Sequence, residues 1–201
     1  VRRKAMKLYT DPLSGNSHKV RLMLALIGKE YDEVTVDLST GEHKTPTFLA
    51  KHPLGQVPVL EDGAEYAYDS QGILVYLNAK YADDAYVPKD PLSQLHVAFW
   101  LSFAANEVQH SLSKARSVKL FGAPHDYEVL VEASHTYLIF IDSQLSGCDW
   151  LVGEGITIAD LAVFPYVMLT KDTTIKLSKY PKVESWVKRI ETQDWYVPMP
   201  G

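Results

Sequence analysis

The sequence predicts an α/β domain followed by an all-helical one. Through about residue 82, short apolar and β-branched runs alternate with segments whose apolar residues recur at helical spacing. From Pro91 onward no convincing strand remains. Between the two lies ADDAYVPKDP, a polar stretch with two prolines that reads as a linker. The expected division is therefore residues 6–82 and 90–201. A chain of 201 residues, 46% apolar and 22% charged, has the composition of a globular protein and the length for one large or two small domains.

Met6 to Thr10 reads as a strand with apolar or aromatic alternate positions. After the loop DPLSGN, Val20, Met23, Leu24 and Ile27 form one helical face, which Gly28 ends. Glu33 to Leu38 is a second strand and Thr45 to Ala50 a short helix. Gln56 to Leu60 and Ala64 to Tyr68 form a hairpin around Asp62-Gly63. Asp69-Ser70 caps a helix through Ile73, Tyr76 and Leu77. In the second half, one helix runs from Pro91 through Leu95, Phe99 and Phe103 towards Arg116. Another, marked by Leu130, Ala133, Tyr137, Phe140 and Ile141, ends near Gly147. Thr157 and Asp160 make a capping-box pattern before the apolar run LAVFPYVML. Pro181 to Glu191 is the last helix.

Composition excludes several function classes. A net charge of −5 lacks the basic face that nucleic-acid binding needs. The single Cys148 forms no internal disulfide, and no Cys/His cluster offers a metal site. The longest apolar run, Leu161 to Leu169, is far short of the ~20 residues that span a bilayer. No charged-then-apolar leader opens the chain. The expectation is a cytoplasmic protein with no metal and no membrane partner. Val1 to Ala5 is a basic run left outside the fold.

Pro58 sits in the middle of an apolar run that otherwise reads as a strand, and proline brings no N–H to a sheet ladder. The β-α-β then β-β-α order, with a proline at the third strand, suggests the thioredoxin-like arrangement. There the Val57-Pro58 bond is expected cis, and the backbone of Val57 faces outward to receive an extended peptide as an added strand.

KLYTDPLSGNSHKVRLMLAL, GEHKTPTFLAKHPLGQVPVLEDG, YDSQGILVYL and GITIADLAVFPYV together resemble a cytosolic glutathione transferase. The likeness covers nearly the whole chain from Met6 and is greatest to the serine-type classes (phi, theta, zeta) and related bacterial enzymes. It implies glutathione as co-substrate and a small hydrophobic electrophile as partner. Val57, ahead of Pro58, would pair its backbone with the cysteinyl part of glutathione. Ser70, at a helix start, would hold the γ-glutamyl carboxylate through its hydroxyl and N–H, Asp69 would face the γ-glutamyl ammonium, and Gln56 would add a polar contact. His43 and Lys44 would meet the glycyl carboxylate.

Ser14 falls where serine-type classes place the hydroxyl that donates to the thiolate. Asn16 matches an asparagine of a bacterial disulfide-reducing class, and Ser17 is read as the N-cap of the first helix. The absence of a loop cysteine excludes a mixed disulfide at this position. Leu13, Phe103, Asn106 and His110 are the candidates for an electrophile pocket. Asp69 stands where the nearest classes carry glutamate, and Gln71-Gly72 where they carry two small residues. The resemblance also implies a homodimer. Two other readings remain: glutathione-dependent disulfide or peroxide reduction, and a non-catalytic interaction protein on the same scaffold.

Overall fold

The computed structural model describes residues 6–200; the basic run Val1 to Ala5 and Gly201 lie outside the described residues. The chain divides into two compact units. One ends at Asp83 and takes in the tail from Trp195, and the other spans Asp84–Asp194.

The first unit is built on a mixed sheet of four short strands in the order β2-β1-β3-β4, with β1 at Lys7–Thr10, β2 at Asp32–Thr35, β3 at Val59–Asp62 and β4 at Glu65–Tyr68. β2 pairs parallel to β1, β3 antiparallel to β1 and β4 antiparallel to β3. β1 alternates half-buried and buried positions, so Leu8 and Thr10 point into the core. The crossover from β1 to β2 is helix α1, Gly15–Leu26, and a helical turn, α2, spans Pro46–Leu49. The strand-helix order is the thioredoxin-like one expected.

Three boundaries differ from the sequence reading. Ser14 is the N-cap of α1, its side chain accepting from the Ser17 N–H, so Ser17 is not the cap. β2 is shorter than expected and ends before the buried Val36. The hairpin turn is Gly63-Ala64, with Asp62 still paired to Glu65 inside the ladder. Asp62 stays in the strand because its Oδ2 accepts from Tyr76, Lys80 and Tyr81 at 2.7, 2.7 and 2.6 Å. Those three residues lie on helix α3, Ser70–Tyr81, so the cluster staples the hairpin to that helix. Burial raises the Asp62 carboxyl, but the three donors outweigh it and hold the group below its ordinary value.

α1 is buried on nearly every side rather than along one face: residues 17 to 24 are all buried, His18, Lys19 and Arg21 among them. Arg21 spans the gap to the sheet, donating to Glu33 Oε1 and to Thr10 Oγ1, each at 2.8 Å.

The second unit consists of helices and loops, with no strand among its described residues. Helix α4, Pro91–Phe103, continues without a break into a ten-residue π-helix, Ala104–Ser113, and then α5, Lys114–Phe121. The buried face of α4 is Val97, Trp100 and Phe103, whereas Leu95 and Phe99, expected to mark it, are 60% and 44% exposed. Helix α6 is Tyr127–Gln144, α7 is Ile158–Met168 and α8 is Pro181–Glu191.

α7 is buried along its whole length, and its start is fixed by the capping box expected between Thr157 and Asp160. The Asp160 carboxylate is fully buried and accepts from four donors: the N–H of Leu151, the N–H and hydroxyl of Thr157, and the Trp186 indole. It thereby ties a loop, α7 and α8 together. Burial pushes this carboxyl up, and the four donors only partly offset it.

Candidate functional site

The residues expected to hold glutathione all fall in the first unit, around three backbone features that the sequence sets locally. The first is the proline. Val57-Pro58 is cis, and Pro58 lies just outside β3, so it does not interrupt the ladder. Among the described residues, the Val57 backbone makes no hydrogen bond to the rest of the main chain. The Val57 side chain packs on the cluster of Val36, Phe48 and Val59, which anchors its backbone beneath the sheet end.

The second feature is the pair of helix heads. Asn16, in the first turn of α1, places its Oδ1 3.4 Å from the Ser70 hydroxyl at the first position of α3. The first N–H groups of both helices have no partner within their helix, and both dipoles put positive charge there. Two anionic groups a few ångströms apart, such as a thiolate and a carboxylate, fit such a pair. The Ser70 hydroxyl donates to Gln71 Oε1 at 2.5 Å, which leaves the backbone N–H to meet an anion; to donate to a carboxylate as expected, the hydroxyl must turn away from Gln71. The Ser14 oxygen accepts from Ser17 N at 3.1 Å, and no acceptor for its proton occurs among the described residues. Capping and donation to a thiolate therefore use different parts of one hydroxyl.

The third is Asp69, an exposed residue with a left-handed φ of 69° that caps α3 through the Gly72 N–H at 2.8 Å. A non-glycine residue in this region is strained by about 1–3 kcal/mol and is found mostly at functional sites. Here the strain points the chain from β4 directly into α3.

His43 and Lys44 lie in a short turn, Glu42–Lys44. Lys44 Nζ donates to the carbonyls of Leu54 and Gly55 at 2.8 and 3.0 Å, so it braces the loop ahead of Val57 as well as carrying charge. His43 Nδ1 is buried with no hydrogen-bond partner. Gln56 is exposed at the rim.

Three residues of this region carry roles the sequence reading missed. His52 Nδ1 accepts from the Leu54 N–H, the turn bond an asparagine would make, and its ring lies on Tyr68. Gly55 has a φ of 58°, and a Cβ there would lie 2.3 Å from the His43 carbonyl. Lys19 is fully buried on α1; burial pushes its ammonium down to about 7, and the charge of Asp69 acts the other way. The helical period could not reveal this, because it assigns charged residues to the solvent face.

Lys19 gives a pH prediction. The unfolded chain keeps the Lys19 proton up to its ordinary value of 10.5, and the folded one only to about 7. The unfolded state therefore binds more protons across that window, and this group's contribution to stability rises with pH through it. Lys19→Met is expected to be more stable than the wild type near neutrality, with the gap closing as the pH approaches 10. Urea midpoints across that range measure it; a gap independent of pH would contradict the assignment.

The electrophile-pocket residues are scattered differently. Phe103 is 5% exposed and packs its ring against Phe99, Trp100, Tyr137 and Phe140. Asn106 and His110 are exposed on the π-helix, His110 Nδ1 lying 2.9 Å from the Asn106 carbonyl. Leu13 is exposed in the loop before α1.

The first unit is thioredoxin-like and a helical unit follows it, the order of the family that the sequence resembles. The comparisons agree. Residues 4–79 match the family description "Glutathione S-transferase, N-terminal domain", and residues 102–194 match "Glutathione S-transferase, C-terminal domain". A probable glutathione S-transferase of Oryza sativa subsp. japonica, GSTF2, is 33% identical over 192 residues, covering 90% of this chain and 89% of its own. A crystal structure of a glutathione S-transferase from Pseudomonas fluorescens superposes with a TM-score of 0.90 at 32% identity, over 98% of this chain and 99% of that one. A glutathione transferase homologue from Drosophila mojavensis, solved with bound glutathione, gives 0.86 at 28% identity, over 96% and 90%. The chain belongs to the glutathione S-transferase family.

Proposed function

We propose that this protein binds glutathione in its first unit, ionises the thiol and transfers it to a small hydrophobic electrophile. The observation that carries this is the meeting of the two helix heads at Asn16 and Ser70, beside the unpaired Val57 backbone. In this reading Val57 hydrogen-bonds the cysteinyl backbone as an added strand. The start of α3 holds the γ-glutamyl carboxylate, with Asp69 on its ammonium. His43 and Lys44 face the glycyl carboxylate, and Gln56 adds a polar contact at the rim. The thiol lies at the head of α1, where Ser14 donates its free proton. A free cysteine thiol titrates near ~8.5, and a helix N-terminus with donors lowers it. The electrophile then meets a preformed thiolate, so catalysis is thiol activation plus proximity. The relative solved with bound glutathione supports the ligand.

Isothermal titration tests the first step: no heat with millimolar glutathione would defeat the reading. Ser14→Ala tests the second. One lost hydrogen bond to a charged group is worth about 1.5–3 kcal/mol, so kcat should fall about ten- to a hundred-fold with KM for glutathione nearly unchanged. Loss of the cap should lower stability by about 1 kcal/mol. If Asn16→Ala abolishes thiolate formation while Ser14→Ala does little, glutathione-dependent disulfide or peroxide reduction replaces transfer. The proposal places the protein in the cytoplasm as a homodimer. Support for self-association comes from α4, where Leu92, Leu95 and Phe99 form an apolar stripe 63%, 60% and 44% exposed. Sedimentation as a monomer at micromolar concentration would refute it.

A further inference from the structure

The turn that carries Ser14 is held by a residue with no assigned part in the reaction. Asp11 opens that turn. Its carbonyl accepts from the Ser14 N–H at 3.1 Å and its Oδ1 from the Leu13 N–H at 2.8 Å. Arg21 lies on α1 about two turns on from Ser14, on the same face. Helical side chains lean towards the N-terminus, and this one reaches back along α1 to the foot of the turn. Its Nη2 donates to Thr10 Oγ1 at 2.8 Å and to the Asp11 carbonyl at 3.3 Å. The Thr10 hydroxyl donates to the same carbonyl at 3.3 Å. On its other side the guanidinium meets Glu33 of β2, where Nη2 and Nε reach Oε1 and Oε2 at 2.8 and 3.2 Å. One planar group thus joins α1, the end of β1, β2 and the first carbonyl of the turn.

Stability is a poor explanation for this arrangement. Arg21 is 3% exposed, and its Nη1 is buried with no hydrogen-bond partner. Glu33 is the carboxylate that pairs with it, and Tyr31 faces that carboxylate too. Desolvation offsets most of the attraction in a buried ion pair, and an apolar side chain of the same volume would pack there at little cost. What a guanidinium fork adds over an apolar contact is direction.

We propose that Arg21 is a positioning residue for the turn that activates the thiol, fixing the head of α1 against β1 so that the Ser14 proton stays aimed at the ligand sulfur. The inference rests on the glutathione reading, because it needs a thiol at that head. Arg21 acts through Ser14. Without the fork the Asp11 carbonyl loses its buried anchor, and the Ser14 hydroxyl swings through directions that miss the sulfur. The binding contacts expected at Val57, Asp69 and Ser70 lie on other segments and stay in place.

Two measurements on Arg21→Met separate aim from packing. Thiolate absorbance of bound glutathione, followed against pH, gives the titration of the thiol. Calorimetry with S-methylglutathione, which has no thiol proton, gives affinity for the rest of the ligand. The thiol is expected to titrate about one pH unit higher than in the wild type, with affinity for S-methylglutathione within about twofold. Turnover below that titration should fall about tenfold and recover as the pH rises. A lower unfolding midpoint with an unmoved thiol titration would mean a structural role only, and overturns the inference. Arg21→Lys keeps the charge without the fork and should match Arg21→Met; recovery of the wild-type titration would mean that charge acts rather than aim, and overturns it too. Adding Arg21→Met to Ser14→Ala should move the titration no further than Ser14→Ala alone, and an additive shift would contradict action through Ser14. Thr10→Val removes only the hydroxyl between fork and carbonyl, and carries the test if Arg21→Met does not fold, with an expected shift of about half a unit. A titration that the wild type shares with all these variants overturns this inference alone. No heat and no thiolate with wild-type protein and glutathione overturns the glutathione reading and this inference with it.

Discussion

Gly55→Ala is expected to eliminate measurable glutathione binding while leaving a folded, less stable protein. The added Cβ would lie 2.3 Å from the His43 carbonyl, 3.0 Å from Leu49 Cδ2 and 3.1 Å from Lys44 Cδ. The side-chain atoms can swing aside, but the carbonyl can move only with its turn. The residue also holds a φ of 58°, which disfavours any L side chain by about 1–2 kcal/mol. With an overpacking term of about 1–3 kcal/mol, the expected loss is about 2–5 kcal/mol. Binding suffers more, because the displaced segments are those expected to meet the glycyl end and the cysteinyl part of the ligand: His43 and Lys44 on one side, Gln56 and Val57 on the other. Calorimetry with glutathione and thermal unfolding are the measurements. Wild-type affinity in Gly55→Ala would mean that neither segment contributes to binding.

Asp160→Ala is expected to have the largest effect on stability. Truncation leaves the N–H of Leu151, the N–H of Thr157 and the Trp186 indole without their acceptor in a dry interior. Each orphaned donor costs about 1–3 kcal/mol, and relaxation recovers part, so a loss of about 4–6 kcal/mol follows. Against a total stability of about 5–15 kcal/mol this brings the protein close to unfolding at room temperature. Asp160→Asn should fall between, since its carbonyl can still accept from Leu151 and Trp186 while its NH2 opposes the Thr157 N–H. Adding Thr157→Ala to Asp160→Ala should cost less than the sum of the single losses. Guanidinium midpoints decide it: a shift in Asp160→Ala under about 1 kcal/mol would show that the four bonds are not what fixes α7.

What could be read in advance depended on whether the physics was local. The capping box of α7 and the Asp69 cap of α3 were legible because an acceptor side chain and a helix start sit within three residues. The order of strands and helices followed from periodicity. The start of α1 was not legible, because SGNS offers Ser14, Asn16 and Ser17 as capping residues within four positions and local sequence does not choose among them. The end of β3 was misplaced because Asp62-Gly63 is a good turn pair locally, whereas Tyr76, Lys80 and Tyr81 hold Asp62 from a helix more than a dozen residues away. Within the candidate site, the motif around Val57 and Pro58 was visible in sequence. The bracing by Lys44, the tight fit at Gly55 and the burial of Lys19 each require knowing which segments lie side by side.

The π-helix has a consequence for how this chain can vary. Ahead of it, buried residues recur every three positions: Val97, Trp100 and Phe103. Within it the buried apolar residues recur every four: Ala104, Val108 and Leu112. A backbone bonded over a longer interval winds more residues into each turn, so ten such residues rotate α5 away from the phase α4 would have imposed. The segment works like a vernier between two rods of equal pitch. Insertion or deletion of a single residue inside it can be absorbed by converting one turn between the two windings, with both ends kept in register. The same change in α4 or α5 would turn a buried face to water.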